Sequence, residues 1–391
     1  MQVLLTTTRA WHLGQTARAF SQRNALAGLW MADKNATRIP AQLYRRCWPY
    51  HVAMKPFYHL TPENWQEWAT YRLIGFWRFW LQRNLKSHSC PKFDAAQAIL
   101  GFGEELFEKA EQVGALKVAD CPNSHPITLQ HEWQRECDLW CPGRKVPIPS
   151  WMFARMTREL ARADVVLCPS EFVRQSMVNN GVPASKCFLN SYGVNTTLFA
   201  AKHNNPSPLA SPRFISVGAI SLRKGHQYLF RAFEQVKQAL PQAELICVGD
   251  YKADFGKERP RWIGRFRHYP KLSHPELAKL LPTCTAFALM SVEEGFARAI
   301  PEAMAAGLPI VATFQTGATS LVTDGVEGKI VPARDPDKTA QALIQLASDP
   351  ADCRRMGDAA RQKAGAGNSW QDYGDRLLAE YEKRIKLMRD M

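Results

Sequence analysis

Two carboxylates and an adjacent pair of cations are the residues whose types and spacing could do chemistry. The stretch EEGFARAIPEAMAAGLPIVAT, from Glu293 to Thr313, puts Glu294 in a glycine-bearing loop and Glu302 eight positions later. The run TAFALMS before it reads as a strand ending at Ser291, so VEEGF is expected to be a loop at the C-terminal edge of a sheet. Pro301 is best tolerated in a first helical turn, which makes Glu302 an early helix residue. Both acids then face one rim. A carboxylate accepts paired hydrogen bonds from vicinal hydroxyls, as on a ribose or a hexose, so two acids so placed could hold two separate diols. Gly295 lets the backbone approach a ligand closely, and the free N–H groups of the loop and helix start favour a phosphate between them. The plainer reading of the same residues is that Glu302 favours the helix dipole and Glu294 is solvated.

The cations lie in VGAISLRKGHQYL, Val217 to Leu229. Gly218 ends a strand there, and Arg223 and Lys224 stand just before Gly225 and the next helix. Adjacent cations at a helix entrance suit a diphosphate. Two other clusters carry less. Cys121, His125, His131, Cys137 and Cys141 fall in one short segment, but their spacing is irregular and lacks a CxxC pair, which argues against zinc. Asp335-Pro336-Asp337 has the form of a metal-binding DxD, yet it sits in a proline turn ahead of a helix, where aspartates cap and turn.

The elements that must position these residues follow from pattern. The chain has 391 residues, 46% apolar and 22% charged, which suits two globular domains. MQVLLTTT reads as a strand, followed by a loop containing Gly14, a candidate acceptor or phosphate loop, and then a helix. From Asp94 strands and helices alternate: FDAAQAIL, a helix closed by Gly114, ALKVAD, DVVLCPS, a helix capped by Ser170 and ended by Gly181, and KCFLNSYGV. AAKHNNPSPLASP has no periodicity and reads as a linker. The alternation then restarts with FISVGAI and runs through AELICVGD, TAFALMS, IVAT and GKIVP. This predicts an α/β chain of two doubly wound Rossmann-like domains, residues 1–199 and 213–365, a linker over 200–212, and a tail helix over 366–391. Ligands of such sheets bind beyond the C-terminal strand ends, so the site belongs in a cleft between the domains.

Net charge is +14, and residues 1–100 hold 13 Lys+Arg against 4 Asp+Glu, so an anionic partner is expected. The segment 43–86 adds Trp48, Trp65, Trp68, Trp77 and Trp80, densest in YRLIGFWRFWLQRNLK. An interfacial helix on an anionic membrane needs such a composition. The apolar residues Leu73, Ile74, Phe76, Trp77 and Phe79 spread around the helical wheel, however, which favours a core helix with arginines snorkelling at its rim. No nucleic-acid-binding motif accompanies the charge, so nucleic acid is not an expected partner. No uncharged apolar run approaches the roughly 18 to 20 residues that span a bilayer. The N-terminus lacks the pattern of a secretory leader, and ten scattered cysteines fit reduced thiols, so a cytoplasmic protein is expected, with peripheral contact at the inner membrane face.

Together these motifs resemble the retaining glycosyltransferases of family 4, which share the GT-B fold. The fit covers about Asp94 to Tyr373. EGFARAIPEAMAAGLPIVAT is similar to the family's E-x7-E signature, with Glu294 and Glu302; Gly317 and DGVEGKIVPARDP are similar to its following turns, and ADVVLCPSEFVRQSM with GVPASKCFLNSYGVNTTLF to the end of its N-terminal domain. The resemblance implies that the tail helix packs back on the N-terminal domain. It implies that Glu302 holds the ribose of a nucleotide sugar, that Glu294 with the backbone of Gly295 and Phe296 holds the donor sugar, and that Lys224 neutralises the diphosphate. The family usually carries an arginine directly after the glycine of the VG strand end. This sequence has Ala219, and Arg223 is expected to supply the charge. The implied reaction is transfer of a sugar, with retention and without a metal or other cofactor, from a nucleoside-diphosphate sugar to a saccharide or lipid-linked acceptor. The family often places a histidine near the donor sugar; here His125 is the candidate, with His131 and His12 behind it. A sugar phosphorylase or a nucleotide-sugar epimerase on the same architecture is the alternative, and a binding module without activity is a further one.

Overall fold

The computed structural model describes residues 1–9, 12–34, 39–60, 69–200 and 211–390. Short apolar runs, buried on both faces, build two all-parallel sheets. The first has seven strands: β1 (Val3–Thr7), β2 (Leu26–Met31), β3 (Tyr44–Arg46), β4 (Ala95–Ile99), β5 (Leu116–Asp120), β6 (Val165–Cys168) and β7 (Cys187–Leu189), in the order β3-β2-β1-β4-β5-β6-β7. The second has six: β8 (Arg213–Val217), β9 (Glu244–Val248), β10 (Arg267–Tyr269), β11 (Ala286–Leu289), β12 (Ile310–Thr313) and β13 (Gly328–Val331), in the order β10-β9-β8-β11-β12-β13. Each sheet grows outward from its first strand and then restarts on that strand's other side. The crevices beyond the strand ends therefore open at β1/β4 and β8/β11, where chain direction across the sheet reverses. This topology sets the loop after β8, with Arg223 and Lys224, beside the loop after β11, with Glu293 and Glu294.

The two doubly wound sheets are those expected from the alternation. Three strands were not. β3 (YRR) and β10 (RHY) are three-residue edge strands whose charged composition protects an edge and hides it from hydrophobic pattern. β2 (LAGLWM) sits in the part of the chain where no alternation is legible. Gly14 is also placed differently. It is the second residue of the helix Leu13–Gln22 and buried, because the His12 carbonyl already accepts the N–H groups of Gln15 and Thr16.

The final helix, Trp370–Arg389, starts in a Ser369–Asp372 capping box and packs on the helix Leu13–Gln22. A Cβ on Gly374 would lie 2.6 Å from the Ala19 Cβ, so glycine permits this contact. The Tyr381 hydroxyl donates to Gln97 Oε1 (2.9 Å), anchoring the helix to β4 of the first sheet. Under the loop after β4, Glu159 accepts the N–H groups of Gly101, Gly103 and Glu104 (2.6, 3.0 and 3.0 Å). Buried Arg155 pairs with Glu105 (2.6 Å) and Glu104 (3.0 Å). This network fixes the loop that forms one wall of the cleft.

The segment 43–86 divides its aromatics between two roles. In the helix Ile74–Leu85 the residues Ile74, Trp77, Leu81 and Leu85 make one buried stripe, and the Trp77 indole donates to the Phe102 carbonyl (3.3 Å). Phe76 and Phe79 lie off that stripe, 48% and 64% exposed. Trp48 and Val52, on the helix Trp48–Leu60 packed beside it, are also exposed. Trp65, Trp68 and residues 201–210 of the expected linker lie outside the described residues. No helix among the described residues is long and apolar enough to cross a membrane.

Candidate functional site

The site is built where the two loops of the second sheet meet. Gly225 adopts a left-handed conformation (φ +70°), and a Cβ there would fall 1.8 Å from the Met290 carbonyl oxygen. That close approach presses the Arg223-Lys224 turn onto the end of β11, where the Val292 N–H donates to the Arg223 carbonyl (3.0 Å). Lys224 Nζ then donates to Glu294 Oε2, and Arg223 Nη1 to Glu293 Oε2 (2.9 Å). Burial pushes the Glu294 carboxyl up, but the charges of Lys224 and Arg223 and the Lys224 hydrogen bond outweigh it and hold Glu294 below the usual range. Lys224 and Glu294 thus meet across 70 positions of sequence. Arg223 is different: its guanidinium is committed to Glu293, so it is a weaker substitute for a cation at Ala219 than the sequence implies.

Glu293 reaches across the cleft. Its Oε1 accepts both the N–H (3.0 Å) and the hydroxyl (2.8 Å) of Ser124, in the loop after β5. Gly295 stands next to this contact, with no room for a side chain: a Cβ would lie 1.7 Å from the Pro122 carbonyl oxygen. The Gly295 carbonyl accepts from the Ser170 hydroxyl (2.6 Å), and Phe296 is buried edge-on against Tyr192 (5.7 Å). The N–H groups of Gly295 and Phe296 donate to no group among the described residues.

A second junction comes from the helix Pro126–Trp140, whose residues 132, 136 and 140 recur at helical spacing along the face toward the second sheet. Glu136, fully buried, accepts from Gln227 Nε2 (2.7 Å), the Tyr228 hydroxyl (2.9 Å) and Trp140 Nε1 (3.1 Å), and pairs with Arg334 (2.7 Å). Arg334 also pairs with Glu132 (2.6 Å). From the same helix Trp133 donates its indole N–H to Asp254 Oδ2 (3.2 Å).

Glu302 lies in the first turns of the helix Ala299–Ala305, with its side chain 16% exposed. Burial pushes its carboxyl up to about 7, partly offset by the Arg298 charge. His274 Nε2 is 3.5 Å from Glu302 Oε1. Gly218, at the end of β8, lies under Lys224, whose Cε would be 3.9 Å from an added Cβ.

The three candidate histidines differ in their surroundings. His125 is buried and caps the helix Pro126–Trp140: its Nδ1 accepts the Ile127 N–H (3.3 Å), and burial lowers its pKa. Of its ring, Nδ1 is engaged by the helix start. His12 is buried under the cleft, bonded to Asp120 (2.8 Å) and stacked on Tyr192 (4.3 Å). His131 is exposed beside Glu132. Cys121, His125, His131, Cys137 and Cys141 do not converge, and the described residues include no group of three or more His, Cys, Asp or Glu placed for a metal ion. Asp335 caps the helix Pro336–Ser348 through the Lys338 N–H (2.8 Å).

Two cavities open along this junction. One of about 290 Å³ lies against the first sheet, with Ile99, Leu100, Phe102 and Met156 as its apolar wall and Asn123 and Ser124 at its polar side. The other, about 90 Å³, lies at Ala219, Lys224 and Asp254. Trp133 and Lys252 line both. Glu293, Trp133 and Asp254 were not singled out by sequence reasoning. Only the Glu293-Glu294 doublet hinted at the first, and the partners of the other two come from the opposite domain.

Residues 200–363 match the family model described as glycosyl transferases group 1. The chain is similar to the MMP alpha-(1->4)-mannosyltransferase of Mycolicibacterium hassiacum, 28% identical over 67% of this chain and 64% of that protein. It is similar to D-inositol 3-phosphate glycosyltransferase 1 of Catenulispora acidiphila, 37% identical over 43% of each chain. A third relative is a GDP-mannose-dependent monoacylated alpha-(1-6)-phosphatidylinositol monomannoside mannosyltransferase of Corynebacterium glutamicum, 32% identical over 40% of this chain and 43% of that one. The match thus spans less than two thirds of each of these relatives. Among solved structures, sucrose-phosphate synthase from Thermosynechococcus elongatus superposes with a TM-score of 0.74 at 17% identity, over 99% of this chain and 100% of that one. Anabaena Alr3699/HepE in complex with UDP and glucose gives 0.70 at 16%, over 98% and 100%. The two facing sheets are the GT-B fold.

Proposed function

We propose that this chain is a retaining glycosyltransferase that moves a sugar from a nucleoside-diphosphate sugar to a saccharide or lipid-linked acceptor, without a metal. The observation that carries the reading is the Lys224–Glu294 pair, clamped at the cleft beside a Glu293–Ser124 contact that joins the domains. The family-model match over residues 200–363 and the similarity to a D-inositol 3-phosphate glycosyltransferase support it.

In this reading the donor's diphosphate takes over Lys224, and Glu294 turns to hydroxyls of the sugar. Glu302 accepts hydrogen bonds from the ribose diol. When the bond from the anomeric carbon to the phosphate oxygen breaks, negative charge grows on the diphosphate, and the Lys224 ammonium is already in place to stabilise it. The acceptor hydroxyl attacks the anomeric carbon from the face the phosphate leaves, and its proton passes to the departing phosphate oxygen. The 290 Å³ cavity suits the acceptor, since its polar side can bind hydroxyls while its apolar wall excludes water. His125 serves this arrangement by starting the helix that carries Trp133, and no proton transfer is assigned to it.

The relatives point to different donors: one acts with GDP-mannose, and the HepE complex holds UDP. Incubating the protein with GDP-, UDP- and ADP-sugars in EDTA, with simple glycosides as acceptors, should give transfer from one of them. NMR of the product should show the anomeric configuration of the donor. Inverted product would remove the retaining mechanism, and loss of transfer in EDTA would remove metal independence.

The exposed Trp48, Val52, Phe76 and Phe79, with exposed Lys55, Arg83 and Lys86 around them, suit peripheral contact with an anionic membrane at its inner face. Anionic vesicles should float the protein at low salt, and Phe76→Ser with Phe79→Ser should reduce the floated fraction severalfold. Absence of flotation at low salt would exclude this contact.

A further inference from the structure

The larger cavity is polar where it meets the donor loop and apolar elsewhere. Pro122, Asn123 and Ser124 line it on the donor side. The Pro122 carbonyl lies against Gly295, Ser124 bonds Glu293, and Asn123 brings an amide that can both donate and accept. The remaining wall includes Leu100 and Phe102 from the loop after β4, Ile148, and Met156 from the helix Ser150–Arg162.

The loop in that wall commits its polar groups to the protein. The N–H groups of Leu100 and Phe102 donate to the carbonyls of Asp120 (2.9 Å) and Ile99 (3.0 Å). Those of Gly101, Gly103 and Glu104 go to Glu159. The Gly101 carbonyl accepts from Arg155 Nε (2.8 Å), and the Phe102 carbonyl from the Trp77 indole (3.3 Å). A sugar hydroxyl laid on this wall would lose water and gain no partner, which is unfavourable. An aliphatic group would be favoured there for the same reason that apolar surface leaves water. Ile148 and Met156 are only half-buried, so a ligand has apolar surface to cover. Met156 is also adaptable: its Cε lies 3.2 Å from where a Cβ on Gly101 would be, and its unbranched side chain can reshape around a guest. Thr70 and Tyr71 line the cavity as well, and the chain runs on from them into the helix Ile74–Leu85, with its exposed Phe76 and Phe79. A chain that outgrows the cavity therefore has further apolar side chains on the same segment.

We infer that the acceptor is an amphiphile, with its nucleophilic hydroxyl at Asn123 and Ser124 and an aliphatic group on the wall of Leu100, Phe102, Ile148 and Met156. This rests on the sugar-transfer reading above and narrows its acceptor from any saccharide to one that carries an alkyl chain. With about 290 Å³ the cavity is close to the lower end of the ~300–1,000 Å³ typical of ligand clefts, so the hydroxyl and the chain must sit near each other on the acceptor, as in a monosaccharide glycolipid.

The test is titration calorimetry with methyl, hexyl and octyl glycosides of glucose, galactose and mannose, each kept monomeric. For at least one sugar, affinity for wild type should rise about tenfold or more from methyl to octyl, because each added methylene leaves water. Met156→Gln and Ile148→Thr, at two separate points of the wall, should each lose most of that gain. Equal affinity for the methyl and octyl glycosides of every sugar, no binding of any octyl glycoside, or a gain that survives both substitutions would overturn the inference. So would a gain lost only in Phe76→Ser with Phe79→Ser, which would put the chain on the outer surface instead of in the cavity. A parallel titration with UDP, GDP and ADP separates the two readings: if none of them binds wild type, the nucleotide-sugar function falls, while the chain-length series still reports on the cavity by itself.

Discussion

Replacing Lys224 by methionine should lower the turnover of sugar transfer by ~10²–10³, the usual loss when a donor aimed at developing charge is removed. The ammonium is the cation that the fold holds nearest Glu294, set there by the left-handed Gly225. Arg223 cannot replace it without giving up Glu293 and, with it, part of the contact to Ser124. The variant should still bind the nucleoside end of the donor, so kcat should fall more than affinity. Glu294 provides an internal check. Without Lys224 it becomes a poorly compensated buried carboxylate, and burial, which already pushes its carboxyl up, goes largely unopposed. Glu294→Gln in the Lys224→Met background should therefore cost less than the product of the two single losses. Initial rates for wild type, both single variants and the double variant decide it; a loss below tenfold in Lys224→Met would remove the lysine from the chemistry.

The second large effect concerns Glu302 and pH. Its carboxyl is pushed from 4.5 up to about 7 in the folded protein. Because the folded-state value is the higher one, the folded state holds the proton more tightly. The group's contribution to stability is present in full below about pH 4.5 and is lost as pH rises to about 7. The shift corresponds to roughly 3 kcal/mol. Glu302→Gln has nothing to titrate, so it should unfold at higher urea than wild type at pH 8 and at similar urea near pH 4.5. Binding runs the other way, since only the ionised carboxylate accepts both hydroxyls of a diol. A nucleotide sugar, which itself has no group titrating near neutrality, should bind wild type up to tenfold more weakly for each pH unit below about 7. Glu302→Gln should bind weakly and without this slope. A wild-type affinity that is flat from pH 6 to 8 would mean that Glu302 does not contact the donor. A residue that weakens the fold and strengthens the ligand is the trade expected at a binding site.

The parts of this arrangement that could be read in advance are local. The loop-to-helix position of Glu302, the Ser170 cap, the left-handed Gly114 and Gly181, and the strands from Ala95 onward, β10 excepted, follow from short-range pattern. What could not be read depends on partners far apart in sequence. Glu293 is a domain tie only because Ser124, 169 positions away, meets it. Arg223 looks like a spare cation until Glu293 is seen to hold it. The helix Ile74–Leu85 looked evenly apolar because its exposed face carries phenylalanines, and hydrophobicity alone does not say which ring faces out. Gly14 was read as a loop residue since glycine marks turns more often than helix starts.

The clasp around Glu136 has a thermal consequence. It consists of hydrogen bonds converging on one carboxylate, where another protein might use a patch of hydrocarbon. Parting it wets polar groups, so the opening step should show little heat-capacity change, and cooling should not loosen it as it loosens an apolar seam. Each donor can exchange its carboxylate for a water molecule as it leaves, which lets the junction yield one bond at a time. A cleft that, as proposed here, admits one large anion and releases another in every turnover is better shut by a zip than by glue.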